Sequence, residues 1–151
     1  MQPGADGTAV PSGTDVLRRI KRIPRMFSCD RTTMPIQVGP HPASFSDSGA
    51  SELSVHSVPV MEARGRDLQT VYDDDVYASV RFPVNVVVQE GMSILWSTPP
   101  PHEESDDDRR AAHADMQIHQ LAKPEWRDLR NLIIAHSEWV QSWREEDVVN
   151  A

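Results

Sequence analysis

The 151-residue chain has a single cysteine, Cys29, so it cannot form a disulfide within itself, and a disulfide-stapled secreted scaffold is excluded. It also lacks the basic start and the apolar run of a signal peptide, and no stretch approaches the roughly 20 apolar residues of a membrane span. These absences predict an intracellular protein, in the cytoplasm or within an assembled particle or complex, that is neither secreted nor membrane-spanning.

Aromatic residues are also scarce, at 6% of the chain, while proline and glycine number 12 and 7. This composition offers little material for a core that includes the whole chain. It predicts one small folded module over residues 53–151, preceded by an extended, disorder-prone arm over residues 1–52.

Positive charge is in deficit, because 15 Lys and Arg stand against 23 Asp and Glu and the net charge is −8. Nearly all of the excess negative charge lies after residue 60. A net-acidic folded part binds nucleic acid poorly, since phosphate contacts need concentrated cations. Nucleic acid is therefore a possible partner only through the arm, which holds the chain's one basic cluster.

That cluster lies in residues 16–27, where basic side chains are mixed with aliphatic ones. The aliphatic residues have helical spacing until Pro24 stops it. The segment could dock on an acidic protein surface, contact nucleic acid or only keep the arm soluble, and docking is the interpretation we favour. The predicted partner-binding residues in this segment are Leu17, Arg18, Arg19, Ile20, Lys21, Arg22, Ile23 and Arg25.

Residues 53–101 carry the clearest β pattern, because every even position from Val76 to Val88 is apolar. A period of two places one face of a strand on a core and leaves the other near water. The pattern resumes after Gly91, and a three-residue loop ending at Gly91 brings the bulky residues of both halves onto one face. This region therefore predicts a small antiparallel β-sheet with a hairpin around Gly91.

Residues 102–151 predict an antiparallel helical hairpin. A first helix over about 106–122 begins at Ser105, and Pro124 begins a second over about 125–147. Apolar residues recur in the second helix at spacings of three and four. Tryptophan is a frequent anchor of binding sites, so three tryptophans of this helix join the predicted partner-binding set: Trp126, Trp139 and Trp143. The overall prediction is an α+β fold of arm, sheet and helical hairpin.

Motifs for chemistry are few. His113 and His119 lie near an acidic run at residues 103–108, but their spacing matches no zinc, EF-hand or metalloprotease pattern. On the predicted helix the two histidines also fall on different faces. Cys29 has no base beside it. The sequence therefore predicts no catalytic residue, no metal, no cofactor and no small-molecule substrate.

These patterns favour a non-catalytic structural or accessory subunit of a large assembly, such as a virus or phage particle or an organellar complex. Its partners would be other protein subunits, held by the arm and the Trp-rich helix. An alternative is a small acidic regulatory or inhibitory protein, whose residues 103–108 and 145–147 would mimic nucleic acid. An enzyme with an unrecognised His/Asp metal site is the third hypothesis.

Overall fold

The computed structural model describes residues 1–46 and 52–149, in which strands and helices alternate along the chain. The strands are β1 (Asp15–Lys21), β2 (Phe27–Asp30), β3 (Gln37–Pro40), β4 (Leu53–Ser57), β5 (Tyr77–Pro83), β6 (Ile94–Trp96), β7 (His113–Met116) and β8 (Glu138–Gln141). The helices are α1 (Val58–Ala63), α2 (Val84–Gln89), α3 (Asp107–Ala112), α4 (Lys123–Ala135) and α5 (Glu145–Val148). The predicted α+β class is confirmed. None of these helices has the length and apolar character needed to cross a membrane.

Six strands form one sheet in the order β6-β7-β4-β1-β5-β8, and β2 and β3 form a separate pair. Every pairing is antiparallel, as the sequence predicts. β1 lies in the centre and pairs with β5 along its whole length. It pairs with β4 only at Val16–Ser57 and Leu17–His56, although both strands continue beyond these residues. The sheet is therefore split between β1 and β4, and the split opens beside His56.

Alternation along the strands gives the sheet two unlike faces. One face, here called the core face, is buried and mostly apolar, although Arg18 and Ser57 also belong to it. Its apolar residues include Val16, Ile20, Leu53, Val55, Ala78, Val80, Phe82, Ala114 and Met116. Phe45 packs edge-on against Phe82, with ring centroids 6.4 Å apart, and Ile133 of α4 belongs to the same buried cluster. Residues of the opposite face, called the cleft face, are mostly polar; they include Arg19, Lys21, Ser54, His56, His113 and Asp115.

The prediction of an N-terminal arm outside the fold is wrong for the described part of residues 1–52. β1 is the central strand of the sheet, with Val16 and Ile20 buried in its core face. Upstream of β1, backbone bonds join Val10 and the adjoining residues to the edge of β6, including Val10 N–H to Ile94 O at 2.8 Å. Composition indicates how a segment behaves alone, whereas the backbone partners of β1 come from strands far along the chain.

The prediction of a hairpin around Gly91 is also wrong. β5 ends at Pro83, and the next six residues form α2 rather than continuing the strand. Val84 and Val87 are both fully buried, at the spacing of a helix turn, so packing overrides the β preference of a valine run. Gly91 does adopt the predicted left-handed backbone, with φ of +81°, but in the turn that follows α2.

The prediction of a C-terminal helical hairpin is wrong in both halves. The first helix is only α3, because β7 begins at His113 and completes the ladder between β4 and β6. The second helix, α4, ends at Ala135, and β8 follows it. No glycine or proline stands between Pro124 and the chain's end to signal that stop. The placement of Pro124 in the first turn of a helix is confirmed.

Candidate functional site

The split between β1 and β4 borders a polar cavity of about 180 Å³ on the cleft face. We call this cavity the histidine cleft; it is lined by Arg19, Ser54, His56, Tyr72, Pro99, Glu103, Glu104 and His113. Three strands and two loops contribute to it, so residues up to 94 positions apart in the chain line one cavity. A cavity lined mainly by hydrogen-bonding and titratable side chains suits a small polar ligand.

His56 is buried in the cleft, with 5% of its surface exposed. Its Nδ1 lies 2.6 Å from the hydroxyl oxygen of Tyr72. Its other ring nitrogen, Nε2, is buried and forms no hydrogen bond with any residue that the structure describes. In one tautomer Nε2 is a donor and in the other an acceptor, so either way the ring keeps one unused hydrogen-bonding position.

Burial lowers the pKa of His56 well below its ordinary value, and the positive charges of nearby arginines, and of His113 when it carries a proton, lower it further. His56 is therefore neutral at physiological pH. Burial also raises the pKa of Tyr72 far above its ordinary value, so the Tyr72 hydroxyl keeps its proton. The His56–Tyr72 pair is consequently a neutral hydrogen-bonded pair.

His113 lies beside His56 on the same wall of the cleft, because the two residues are opposite each other in the β4–β7 register. Their rings are 5.5 Å apart at 72°. His113 Nδ1 lies 2.7 Å from the carbonyl oxygen of Ser97. A carbonyl oxygen only accepts, so this contact places a proton on Nδ1 and leaves Nε2 of the neutral ring as a proton acceptor.

A buried carboxylate stands beside His113. Asp115, 6% exposed, has Oδ1 at 3.7 Å from Nε2 of His113. The Ser54 hydroxyl donates to the same Oδ1 at 2.9 Å, since Ser54 and Asp115 are also opposite each other in the register. Asp115 and Ser54 thus form a hydrogen-bonded pair beside the His113 ring.

The opposite wall of the cleft is held by Arg109. Its guanidinium binds both carboxylate oxygens of Glu104 at 2.9 Å and the Val71 carbonyl oxygen, next to Tyr72, at 2.7 Å. Burial opposes the charge of Glu104, but hydrogen bonds from Arg109 and from the Asp106 backbone outweigh it and lower the pKa of Glu104. Glu104 is therefore an ionised carboxylate at neutral pH.

Two further carboxylates of the acidic run, those of Asp106 and Asp108, are paired with arginine. Arg66 donates to Asp106 and Asp108 at 2.9 and 3.0 Å, and Arg64 donates to Asp108 at 2.6 Å. These hydrogen bonds lower the pKa of Asp108. They join the start of α3 to the turn after α1. Among residues 1–46 and 52–149, no group of His, Cys, Asp or Glu is arranged to hold a metal ion.

The structure separates the predicted residues of the basic segment. Leu17 and Ile20 are core residues, and Arg18 is 5% exposed, with Nε and Nη1 donating to the carbonyl oxygens of Ser44 and Ser54 at 3.1 and 3.0 Å. Arg19 is exposed and lines the histidine cleft. Lys21 is exposed on the same face of β1 and lines a neighbouring cavity.

The remaining basic-segment residues follow the end of β1. Arg22 donates to Asp147 at 2.7 Å and to Asp74 at 2.9 Å. Ile23 is half-buried, and Arg25 is exposed in a short 3-10 turn. Arg22 thus ties the C-terminal helix α5 to the sheet.

The three predicted tryptophans do not share a helix face. Trp126 is half-buried on α4 and Trp143 is half-buried after β8. Trp139 belongs to β8, stacks on Phe27 at 5.9 Å and donates its indole N–H to the Val38 carbonyl oxygen at 3.0 Å. Trp139 therefore joins the β2–β3 pair to the main sheet, and all three tryptophans pack against the core.

Sequence reasoning missed the cleft residues on β4 and β7. His113 stood out only as metal-ligand material on a predicted helix. The usable signal was the pattern of Ser54 and His56, and of His113 and Asp115: polar residues two apart within an apolar stretch. Such spacing puts both side chains on one face of a strand, but on different faces of a helix.

Comparison of the chain with protein-family models, with curated proteins and with solved structures finds no match. The function must therefore be argued from the chemistry of the histidine cleft.

Proposed function

We propose that the histidine cleft is the active site of an enzyme that transfers protons to and from a small polar substrate. The observation that carries this proposal is the buried Nε2 of His56, which has no partner among the described residues, in a side chain that lines the cavity together with His113. A buried polar group left unpaired costs about 1–3 kcal/mol. Such groups are rare in native proteins, and a ligand group that pairs with Nε2 would recover that cost.

His113 is the proposed proton acceptor and donor. The Ser97 carbonyl orients its ring through Nδ1–H, which leaves Nε2 available to take a proton from a hydroxyl or a water molecule. Asp115, 3.7 Å from Nε2, stabilises the resulting imidazolium. A base that is oriented by a second group, next to a carboxylate, is the arrangement expected of acid–base catalysis.

The other side chains of the cleft suit substrate binding. The neutral ring of His56 offers one hydrogen bond through Nε2, and the ionised carboxylate of Glu104 accepts hydrogen bonds from hydroxyl groups. Arg19 supplies a positive charge at the rim. The cavity volume of about 180 Å³ limits the part of the substrate held inside to a few polar groups. A hydroxyl-bearing small molecule fits this set of partners.

The test is turnover of simple acid–base substrates: p-nitrophenyl acetate, p-nitrophenyl phosphate and bis-p-nitrophenyl phosphate. Replacing His113→Gln should lower the rate on any accepted substrate by about 100-fold or more, because it removes the proton carrier. His136→Gln is the matched control, since His136 is exposed at the end of α4. Equal rates in both variants, or no turnover of any of the three by the unmodified protein, would contradict the proposal.

The non-catalytic hypotheses stay predictions, but the features that suggested them have other roles. The proposed docking segment contains the central strand β1, and the tryptophans lie on different elements that pack within the chain. The acidic run that would mimic nucleic acid is largely paired with Arg64, Arg66 and Arg109. Acid–base catalysis in the histidine cleft is therefore the function that the geometry supports best.

A further inference from the structure

A second cavity, of about 210 Å³, adjoins the histidine cleft and shares Arg19 with it. We call it the basic pocket; it is lined by Arg18, Arg19, Lys21, Met26, Ala43, Ser44, Ser46 and Tyr77. Three of these residues are cationic and three carry hydroxyl groups. None of the described residues that line it is a carboxylate. The histidine cleft differs in this respect, because Glu103 and Glu104 line it.

Two cations of the basic pocket are unusual for this chain. Asp and Glu outnumber Lys and Arg by 23 to 15, and many of the arginines form ion pairs. Arg19 and Lys21 are exposed, and neither is within ion-pair distance of a carboxylate in the part of the chain that the structure describes. Exposed cations that stay unpaired in an acidic protein are available to an anionic ligand.

The strands hold these two cations in place. Arg19 and Lys21 are two residues apart on β1, so their side chains leave the sheet on the same face. Lys21 is opposite Tyr77 in the β1–β5 register, and the guanidinium of Arg19 lies over the Tyr77 ring at 5.1 Å. A guanidinium stacked on an aromatic ring is fixed in position while its N–H donors stay free for a ligand.

Arg18 connects the backbone segments that border the two cavities. Its buried guanidinium donates to the Ser44 carbonyl, at the basic pocket, and to the Ser54 carbonyl, at the histidine cleft. Arg19 lines both cavities, whereas Arg18 lines only the basic pocket. A small molecule that extends past Arg19 would therefore contact residues of both cavities.

We propose that the basic pocket binds the phosphate group of a small molecule whose hydroxyl-bearing part lies in the histidine cleft. The assignment of that second part rests on the proposed function, whereas the phosphate site stands on Arg19, Lys21 and the pocket alone. A net charge of −8 repels anions from the protein as a whole. Phosphate binding at this surface therefore depends on the local cations.

The experiment compares three probes by isothermal titration calorimetry: inorganic phosphate, ribose and ribose 5-phosphate. We expect inorganic phosphate to bind, and ribose 5-phosphate to bind more tightly than either phosphate or ribose. Lys21→Gln should weaken the binding of inorganic phosphate and of ribose 5-phosphate about tenfold, because one charge-assisted hydrogen bond is lost. Lys123→Gln is the charge-matched control, since Lys123 is exposed at the start of α4, away from both cavities. Circular dichroism checks that both variants fold.

Two outcomes overturn the phosphate site. One is that neither inorganic phosphate nor ribose 5-phosphate binds at 10 mM, and the other is that Lys21→Gln and Lys123→Gln weaken their binding equally. A third variant, His56→Gln, separates the two proposals. It should weaken ribose 5-phosphate and leave inorganic phosphate unchanged. If it changes neither while Lys21→Gln weakens both, the phosphate site holds and the placement of the substrate in the histidine cleft is wrong.

Discussion

The two faces of the six-stranded sheet are made from alternate residues of the same strands, yet one face packs apolar side chains and the other forms polar contacts. On the core face, Val55 and Phe82 are fully buried among apolar neighbours. On the cleft face, their strand neighbours His56 and Arg81 bind Tyr72 and Asp15 through directional polar contacts. A one-residue step along a strand is enough to pass from one environment to the other.

This difference separates stability from chemistry. Apolar burial is non-directional and contributes about 25 cal/mol for each Å² removed from water, so the core face supplies most of the folding free energy. Polar groups contribute less in net terms, and they do so only when paired. The cleft face can therefore keep an unpaired nitrogen on His56 because the opposite face holds the sheet together. Substitutions on the core face should therefore lower the free energy of unfolding more than substitutions on the cleft face.

The largest effect is expected from Phe82→Ala on the core face. Phe82 is fully buried against Phe45, and truncating a buried phenylalanine costs about 3–5 kcal/mol through lost burial and the cavity left behind. Urea denaturation measures the change in the free energy of unfolding. Arg81→Ala, the neighbouring residue on the cleft face, removes only a half-exposed ion pair with Asp15 and should cost about 1 kcal/mol or less. A similar cost for both variants would remove the contrast between the faces.

An intermediate effect is expected from Tyr72→Phe. The variant keeps the ring but removes the hydroxyl that lies 2.6 Å from His56 Nδ1, so Nδ1 joins Nε2 in having no hydrogen-bond partner within the described chain. Leaving a buried polar group unpaired costs about 1–3 kcal/mol. Tyr77→Phe is the control, because the hydroxyl of Tyr77 makes no hydrogen bond to a described residue. Measured by urea denaturation, the loss in free energy of unfolding for Tyr72→Phe should be larger than for Tyr77→Phe and smaller than for Phe82→Ala. A Tyr72→Phe cost no larger than that of Tyr77→Phe would argue against the pairing.

The smallest effect is expected from a change of pH from 7 to 6. The pKa of His56 is lower in the folded protein than in the unfolded chain, whose histidines titrate near 6.5. Protonation therefore favours the unfolded chain, and stability falls as the pH drops below about 6.5. The slope of one suppressed proton, about 1.4 kcal/mol per pH unit, limits the loss over this interval to less than about 1 kcal/mol.

The variant His56→Gln isolates that titration. It should make the melting temperature less dependent on pH between 7 and 6 than in the unmodified protein. His136→Gln, at an exposed position, should leave the dependence unchanged. If the two variants show the same pH dependence, the neutral buried state assigned to His56 is wrong.

Several features of the fold were predictable because they depend on residues close in sequence. The alternation that begins at Val76 predicted a strand, and β5 covers its first half. Pro124 predicted the start of a helix, and α4 begins there because proline suits a first turn. Gly91 predicted a left-handed backbone, which it adopts. In each case a neighbour within a few positions determines the conformation.

The candidate site was not predictable in this way, because its residues meet only through strand pairing. His56 and His113 are 57 positions apart and lie side by side because β4 pairs with β7 in one particular register. Val16 and Ile20 were predicted to belong to an arm, because the strands β4 and β5 that pair with β1 lie far along the chain. Nothing local to either segment specifies which strand it will join.

The sequence by itself determined an acidic α+β protein without an internal disulfide, because charge, cysteine number and side-chain period are local properties. The tertiary structure decided that the basic segment is the central strand, that the predicted long C-terminal helix ends at Ala135, and that two histidines share a cleft. These outcomes follow from burial against distant residues, whose free energy exceeds the small local preference of each segment.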